Sequence, residues 1–275
     1  MRMATASRHR ISATATVMAE GAAPPAANGN GSASLGGGAQ PAAPLPAAPL
    51  PAAALQKLMA WLSPAFPVGA FSYSHGLEWE VEDGTIRDAA TLSAWLGDVL
   101  AHGAGRSDAI LFVHAWRAVA GADHAALQSV AELGAALQPS KERHLEATAQ
   151  GRAFLSAVLA SWPNRHLAAA AESLSEPPVY AIAVAIAAAS HEVPLNLALS
   201  ATLQAFAANL VSAGVRAIPI GQTDGQRVIA ALIAPIEATA AAALAARLDD
   251  IGGVALRADI ASMHHETQYT RLFRS

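Results

Sequence analysis

Histidine and carboxylate side chains near residue 265 are the first candidates for chemistry in this 275-residue sequence. His264 and His265 are the one adjacent pair among ten histidines, and Glu266 follows them directly. Imidazole and carboxylate groups bind borderline metals such as nickel and zinc, which raises the alternative of a helical metal-binding hydrolase. Adjacent residues on a helix point apart, and the second histidine of an HExxH motif is missing. We therefore expect no resident metal and no cofactor.

Other catalytic patterns do not match the sequence either. The chain has no cysteine, which excludes disulfides, cysteine zinc sites, iron–sulfur clusters and a cysteine nucleophile. It contains neither a P-loop nor a GxGxxG motif, and Gly69 lies one place too early for a nucleophile elbow at Ser72. Glu142, Arg143 and Glu146 share one predicted helix, where we expect a solvated, ion-paired face rather than an acid/base pair. We expect no catalytic residues and a protein that is not an enzyme.

Charge and hydropathy limit the classes of partner. The formal net charge is -4 and the sequence pI is about 6.2, which argues against nucleic-acid binding. The most apolar run, Val179 to Ala189, is shorter than the roughly 20 residues that cross a bilayer. The alanine-rich apolar helices also suggest a protein that binds to a membrane surface. The net negative charge disfavours this alternative. We expect a cytoplasmic protein that binds neither nucleic acid nor membrane.

The first 52 residues differ in composition from the rest. Between Ser12 and Gln56 the one charged residue is Glu20, and the same stretch contains seven prolines. It offers few large apolar side chains to offset the entropy of ordering, so residues 1–52 are predicted to be a disordered extension. Polar residues interrupt the stretch after Ile11, so it does not fit the apolar part of a signal peptide.

From residue 53 onward the apolar spacing is helical almost throughout. About ten segments repeat apolar residues three and four positions apart, and the alternation typical of strands is absent. Asp88, Asp123 and Ser140 stand where helices begin, and a further helix is expected to follow Ser107 and Asp108. The pattern predicts an all-α, single-domain helical bundle over residues 53–275. One of its helices is expected over about residues 224–248.

Three stretches do not fit plain helices. Residues 63–78 combine two prolines and two glycines with apolar residues, either as a buried connection or as an ordered loop that presents a surface. Residues 216–227 are rich in hydrogen-bonding side chains, although a helix stop at Pro219 and a cap at Asp224 explain part of the pattern. The final residues, 265–275, are too aromatic for an ordinary frayed end, and Tyr and Arg are enriched in interface hot spots.

Together these stretches resemble the UreF family of urease accessory proteins. The matching segments run from Ser63 to Glu78, from Asn209 to Arg227 and from His265 to Ser275 in the same order, and the likeness covers residues 53–275. The resemblance implies a homodimer that joins UreD (also called UreH) and the GTPase UreG in the complex that inserts nickel into the urease apoprotein. It further implies modulation of the UreG GTPase, with any nickel binding by this chain being indirect.

The resemblance also assigns residues to the two partners. The UreD-binding residues that it implies lie in the C-terminal tail: Glu266, Tyr269, Arg271, Leu272 and Phe273. The surface that it places towards UreG or at the dimer is formed by Phe71, Ser72, His75, Glu78, Arg216, Gln222, Asp224 and Gln226.

Overall fold

The computed structural model describes residues 51–275, and over that range the chain is helical without a strand. The predicted disordered extension, residues 1–52, lies outside the described residues apart from its last two. The described part of the chain contains twelve α-helices: α1 Ala52–Trp61, α2 Leu77–Glu82, α3 Ala89–His102, α4 Ala104–Ala120, α5 His124–Ala136, α6 Lys141–Ser161, α7 Arg165–Glu172, α8 Tyr180–Ser190, α9 Leu195–Ala217, α10 Gln222–Ala231, α11 Ile233–Ala245 and α12 Leu256–His265. The predicted all-α fold is therefore confirmed.

Side-chain caps begin the helices at the predicted residues. The Asp88 carboxylate accepts a hydrogen bond from the Thr91 backbone N–H at 2.8 Å, and the Asp123 carboxylate caps α5 in the same way. Ser140 begins α6 by accepting from the backbone N–H of Arg143 at 3.2 Å. Each such cap contributes about 1 kcal/mol, because it satisfies a backbone donor that the helix leaves free.

Helix α8 forms the centre of the bundle. Nine of its eleven residues are buried, most of them alanine or isoleucine, and it packs against α4 and α6. Small side chains permit this close approach: a β-carbon at Gly151 of α6 would lie 1.9 Å from the carbonyl oxygen of Pro178. The apolar run that was too short for a bilayer is thus a core helix.

Two helix boundaries differ from the sequence-based expectation. The segment expected over residues 224–248 is divided at Leu232 into α10 and α11. Pro235 has no N–H, and its ring excludes the carbonyl of Ala231 four residues earlier, which interrupts the helix there. Helix α4 begins at Ala104, so Asp108 lies inside the helix rather than at its start.

By length and hydropathy alone, two stretches could cross a membrane: Leu195–Ala217 and Gln222–Ala245. The first is α9, which packs against α4, α8, α10 and α11. The second is not one continuous helix, since it comprises α10 and α11. Core helices of a helical bundle have the same composition, so neither stretch is evidence for a membrane span.

Candidate functional site

The chain end and the loop before α2 meet on one side of the bundle. We call this region the tail junction and define it by residues 71–78, residues 142–146 of α6, Arg216 and residues 265–275. The backbone of the last residues runs alongside the loop: the Arg274 N–H donates to the Ser72 carbonyl at 2.8 Å. The carbonyl of Ser275 accepts from the Ser74 backbone N–H at 2.5 Å and also from the Ser74 hydroxyl. The tail is therefore an ordered part of the fold.

Glu78 anchors the tail through its carboxylate. It is 8% exposed and accepts hydrogen bonds from the backbone N–H groups of Leu272, at 2.6 Å, and Phe273, at 3.0 Å. A buried carboxylate costs free energy unless it is hydrogen-bonded, and here backbone donors of the tail provide that compensation. Glu78 is thus a buried side chain that holds the tail in place.

His265 lies between two carboxylates. It is fully buried, its Nε2 is 3.1 Å from Glu78 and its Nδ1 is 2.6 Å from Glu142. Each ring nitrogen is thus within hydrogen-bonding distance of a carboxylate. The Arg271 guanidinium donates to the other oxygen of Glu142 at 2.6 Å. The histidine is therefore a structural link between α12, α2 and α6.

The metal-site alternative built on the His264, His265 and Glu266 triplet is not assembled. The His264 ring stacks on Trp79 with 4.8 Å between centroids, whereas His265 points into the protein. Glu266 instead accepts from the Lys141 backbone N–H at 2.7 Å and caps α6. Among residues 51–275 no group of three histidine or acidic side chains is placed to hold a metal ion.

Arg216 joins the second matching stretch to the other two. Its guanidinium carbon lies 3.7 Å from the Phe71 ring centroid and 4.4 Å from that of Phe273, so two aromatic rings enclose it. It also donates to the Phe71 carbonyl at 2.8 Å and to the Ser212 carbonyl at 3.1 Å. Stacking of this kind stabilises by about 0.5–2 kcal/mol per ring, depending on desolvation. One guanidinium nitrogen, Nη2, is buried without a hydrogen-bond partner within the described residues.

Glu146 is the most connected side chain of the junction. Its two oxygens accept from His75 at 2.7 Å, Gln150 at 3.0 Å, Arg143 at 2.5 Å and Ser275 at 2.6 Å. The expectation of a solvated face on α6 is wrong, because Arg143 is 5% and Glu146 1% exposed. The loop and the tail, distant in sequence, cover that face.

Burial and the positive charge of Arg143 shift the pKa values of this cluster. Burial by itself raises the pKa of Glu146, but the Arg143 charge and the bonds from His75 and Ser275 outweigh it and lower the pKa to about 2. Burial, together with the Arg143 charge, lowers the pKa of His75, so its imidazole is neutral at pH 7. The Nε2–H of His75 therefore donates to Glu146, and its Nδ1 is an acceptor with no partner in the described chain.

The residues that the resemblance assigned divide into three groups. Tyr269, at 102% relative exposure, and Leu272, at 71%, face outward, whereas Phe273 is buried. The other assigned side chains of the tail and loop belong to the junction or its rim: Phe71, Ser72, His75, Glu78, Arg216, Glu266 and Arg271. On α10, the side chains of Gln222, Asp224 and Gln226 make no hydrogen bond to the loop or tail within the described residues, and Asp224 pairs with Arg227.

Sequence reasoning did not identify Glu142 and Glu146 as parts of the site. The available signal was weak: three charged residues at three-and-four spacing in a chain with only 14% charged residues. Such spacing occurs on solvated and on buried faces alike. Only the position of the tail distinguishes the two.

Comparisons with known proteins find one family. A family model described as UreF matches residues 86–233. The urease accessory protein UreF of Rhodopseudomonas palustris strain HaA2 is 55% identical over 222 residues, which are 81% of this chain and 94% of that protein. The UreF of strain BisB18 is 56% identical over 222 residues, with 81% and 92% covered. The UreF of Bradyrhizobium diazoefficiens is 53% identical over the same length, with 81% and 92% covered.

Proposed function

Because the chain belongs to the UreF family of urease accessory proteins, we propose that it bridges UreD and the GTPase UreG in the nickel-insertion complex. Membership in this family gives the chain a role in urease maturation and makes it an accessory protein rather than an enzyme. In the proposed complex it is a cytoplasmic homodimer that acts on the urease apoprotein and modulates the UreG GTPase. Nickel is the cargo of that complex, and its contact with this chain is indirect.

The observation that carries the proposal is the tail junction itself. Three segments meet there through hydrogen bonds to Glu78 and stacking on Arg216, and these contacts join residues more than 50 positions apart along the chain. Burying charged side chains costs desolvation free energy, and apolar residues of similar volume would stabilise a core equally well. Stability alone therefore does not explain this buried network. It holds two exposed surfaces in a defined relation to each other.

The first surface supports UreD binding. Leu256, Ile260 and Met263 are each at least 49% exposed and lie on one face of α12 at helical spacing. Tyr269 and Leu272 of the tail that follows α12 are exposed as well. Exposed apolar side chains that cluster on a monomer indicate a protein interface. We propose that UreD binds these exposed residues of α12 and the tail.

The second surface supports UreG binding. Phe71 is 66% exposed and stacks on Arg216. Aromatic and arginine side chains are enriched in interface hot spots, so an exposed ring supported by a guanidinium is suited to contact a partner. The first turn of α10, which carries Gln222, Asp224 and Gln226, is included in this surface on the family resemblance alone.

The decisive experiment is reconstitution. The full chain is mixed with UreD and UreG in the presence of GTP and magnesium, and the mass of the assembly is measured by size-exclusion chromatography with light scattering. We expect one co-eluting complex that contains two copies of this chain. Elution of the chain alone, while known UreD and UreG assemblies form under the same conditions, would contradict the proposal.

The variant Arg216→Ala tests the UreG-binding surface independently of the UreD-binding surface. We expect UreD binding to be retained and UreG recruitment to fall at least tenfold, because the variant removes the stacked guanidinium and leaves α12 untouched. Arg152→Ala, at an exposed position of α6 outside both surfaces, is the matched control and should recruit UreG normally. Equal loss of both partners would indicate misfolding rather than a UreG-facing role.

A further inference from the structure

The loop before α2 holds a histidine in a constrained position. The backbone of His75 has a φ of +58°, a left-handed conformation that few non-glycine residues adopt, and Gly76 follows with a φ of +80°. The His75 side chain is 10% exposed, and its Nε2 lies 2.7 Å from a Glu146 oxygen. Its Nδ1 is buried without a hydrogen-bond partner within residues 51–275. One ring nitrogen is thus paired and the other is enclosed without an acceptor.

The surroundings of His75 suit a neutral imidazole. The charge of Glu146 is already balanced by Arg143 at 2.5 Å, and the Ser275 hydroxyl donates to the same carboxylate at 2.6 Å. A proton on Nδ1 would therefore add a positive charge beside a balanced pair and bury an N–H that has no acceptor, which costs free energy. Burial and the Arg143 charge accordingly lower the pKa of His75, although the contact with Glu146 opposes them.

Other groups around His75 either do not titrate or act in the opposite direction. Asp108 of α4 lines the same open pocket beneath the loop, and burial raises its pKa to about 6. Burial also raises the pKa of Asp259 on α12. Both acids are protonated more readily in the folded protein, so acidification favours the fold at those positions. From α9 the Phe206 ring lies 5.1 Å from the imidazole, and the tail contributes the backbone and hydroxyl of Ser275.

We propose that His75 is a pH-sensitive switch of the tail junction, and that its protonation separates the loop from the tail. The loop is bonded to the tail just before His75: the Ser74 N–H donates to the Ser275 oxygen and the Arg274 N–H donates to the Ser72 carbonyl. A protonated ring reaches water when the loop moves away from α6. That movement breaks the bonds between loop and tail.

The direction of the switch follows from the lowered pKa of His75. Its stabilising contribution is fully present above the unfolded pKa of 6.5 and is lost as the pH falls from there through the folded pKa. The junction is therefore closed above pH 6.5 and opens progressively below it. Weaker binding of UreD and UreG on acidification would follow, and this consequence alone rests on the proposed function.

Hydrogen exchange of the full chain tests the switch. Mass spectrometry follows peptides that cover residues 72–76 and 270–275 in wild type and in His75→Gln, whose amide can donate to Glu146 but does not titrate. The ratio of the two exchange rates at one pH cancels the intrinsic pH dependence of exchange and the contributions of Asp108 and Asp259. We expect the wild-type rate relative to the variant to rise at least about threefold from pH 7.5 to pH 5. A ratio that stays constant or falls on acidification would overturn the proposal.

A control variant and a second measurement complete the test. His124→Gln, at an exposed position at the start of α5, should keep the wild-type pH dependence of exchange. NMR of the imidazole nitrogens of wild type reports His75 directly, even where His75→Gln is itself destabilised. We expect a neutral ring with its proton on Nε2 at pH 7.5, and a His75 pKa at or above 6.5 would overturn the proposal. Both measurements use the chain without partners, so failure of the switch is distinguishable from failure of the proposed function.

Discussion

Replacement of Glu146 by glutamine should destabilise the protein by about 3 kcal/mol at pH 7. The carboxylate is fully buried and its pKa falls from 4.5 to about 2 in the folded protein. Each pKa unit corresponds to about 1.4 kcal/mol, so the ionised form stabilises the fold by about 3 kcal/mol. Glu146→Gln removes that charge and leaves Arg143 buried without its counter-ion, a situation that typically costs 3–5 kcal/mol.

The sign of the pH dependence follows from the lowered pKa. The contribution of Glu146 is fully present above the unfolded pKa of 4.5 and is lost as the pH falls through the folded pKa of about 2. The stability difference between wild type and Glu146→Gln should therefore be constant near neutrality and should narrow below about pH 4.5. A difference that increased on acidification would contradict this account.

Urea denaturation followed by circular dichroism measures the effect directly. For a domain of this size about 3 kcal/mol corresponds to a loss of roughly 6–12 °C in Tm. Glu237→Gln, at an exposed position of α11, is the matched control and should change stability by less than about 0.5 kcal/mol. The double variant Arg143→Met/Glu146→Gln should be more stable than Glu146→Gln, because no buried charge is left unpaired. A single variant within about 1 kcal/mol of wild type would refute the reasoning.

Two further predictions test the loop and the tail. Gly76→Ala should destabilise by at least about 2 kcal/mol in urea titration, since φ is +80° and the added carbon would lie 2.6 Å from a backbone nitrogen of α12. Gly69→Ala, with φ +73° and open space around it, should cost only about 1 kcal/mol, and equal effects would refute the role of the close approach. Tyr269→Ser combined with Leu272→Ser should weaken UreD binding at least tenfold in a pulldown without changing Tm. Ile233→Ser, on the outer face of α11, should bind UreD normally, and retained binding by the tail variant would remove both residues from the interface.

Local sequence signals were sufficient to predict most of the helices. Apolar residues at three-and-four spacing and the caps at Asp88, Asp123 and Ser140 predicted α3, α5 and α6 at their observed starts. These features act over one or two turns, so a short stretch of sequence contains all the necessary information. Prediction failed at Asp108, because a polar pair inside a helix resembles a helix start when the neighbouring turns are not considered.

The contacts of the site could not be predicted in this way, because they join residues that lie far apart along the chain. Arg216, Phe71 and Phe273 each belong to a stretch that the family resemblance singled out, but their stacking joins positions more than 50 residues apart along the chain. Spacing along the sequence contains no information on such contacts, and the same residues would fit a surface patch equally well. The tertiary structure decided that the tail folds back onto the loop and that Arg216 lies between two rings.

The sequence by itself determined the helical class, the helix caps, the absence of cysteine chemistry and the likeness to the UreF family, because these depend on residue type and local spacing. The tertiary structure alone decided the burial of Glu146 and Arg143 and the linking role of His265. The ionisation and the cost of a charged side chain depend on which groups surround it, and those neighbours come from helices distant in sequence.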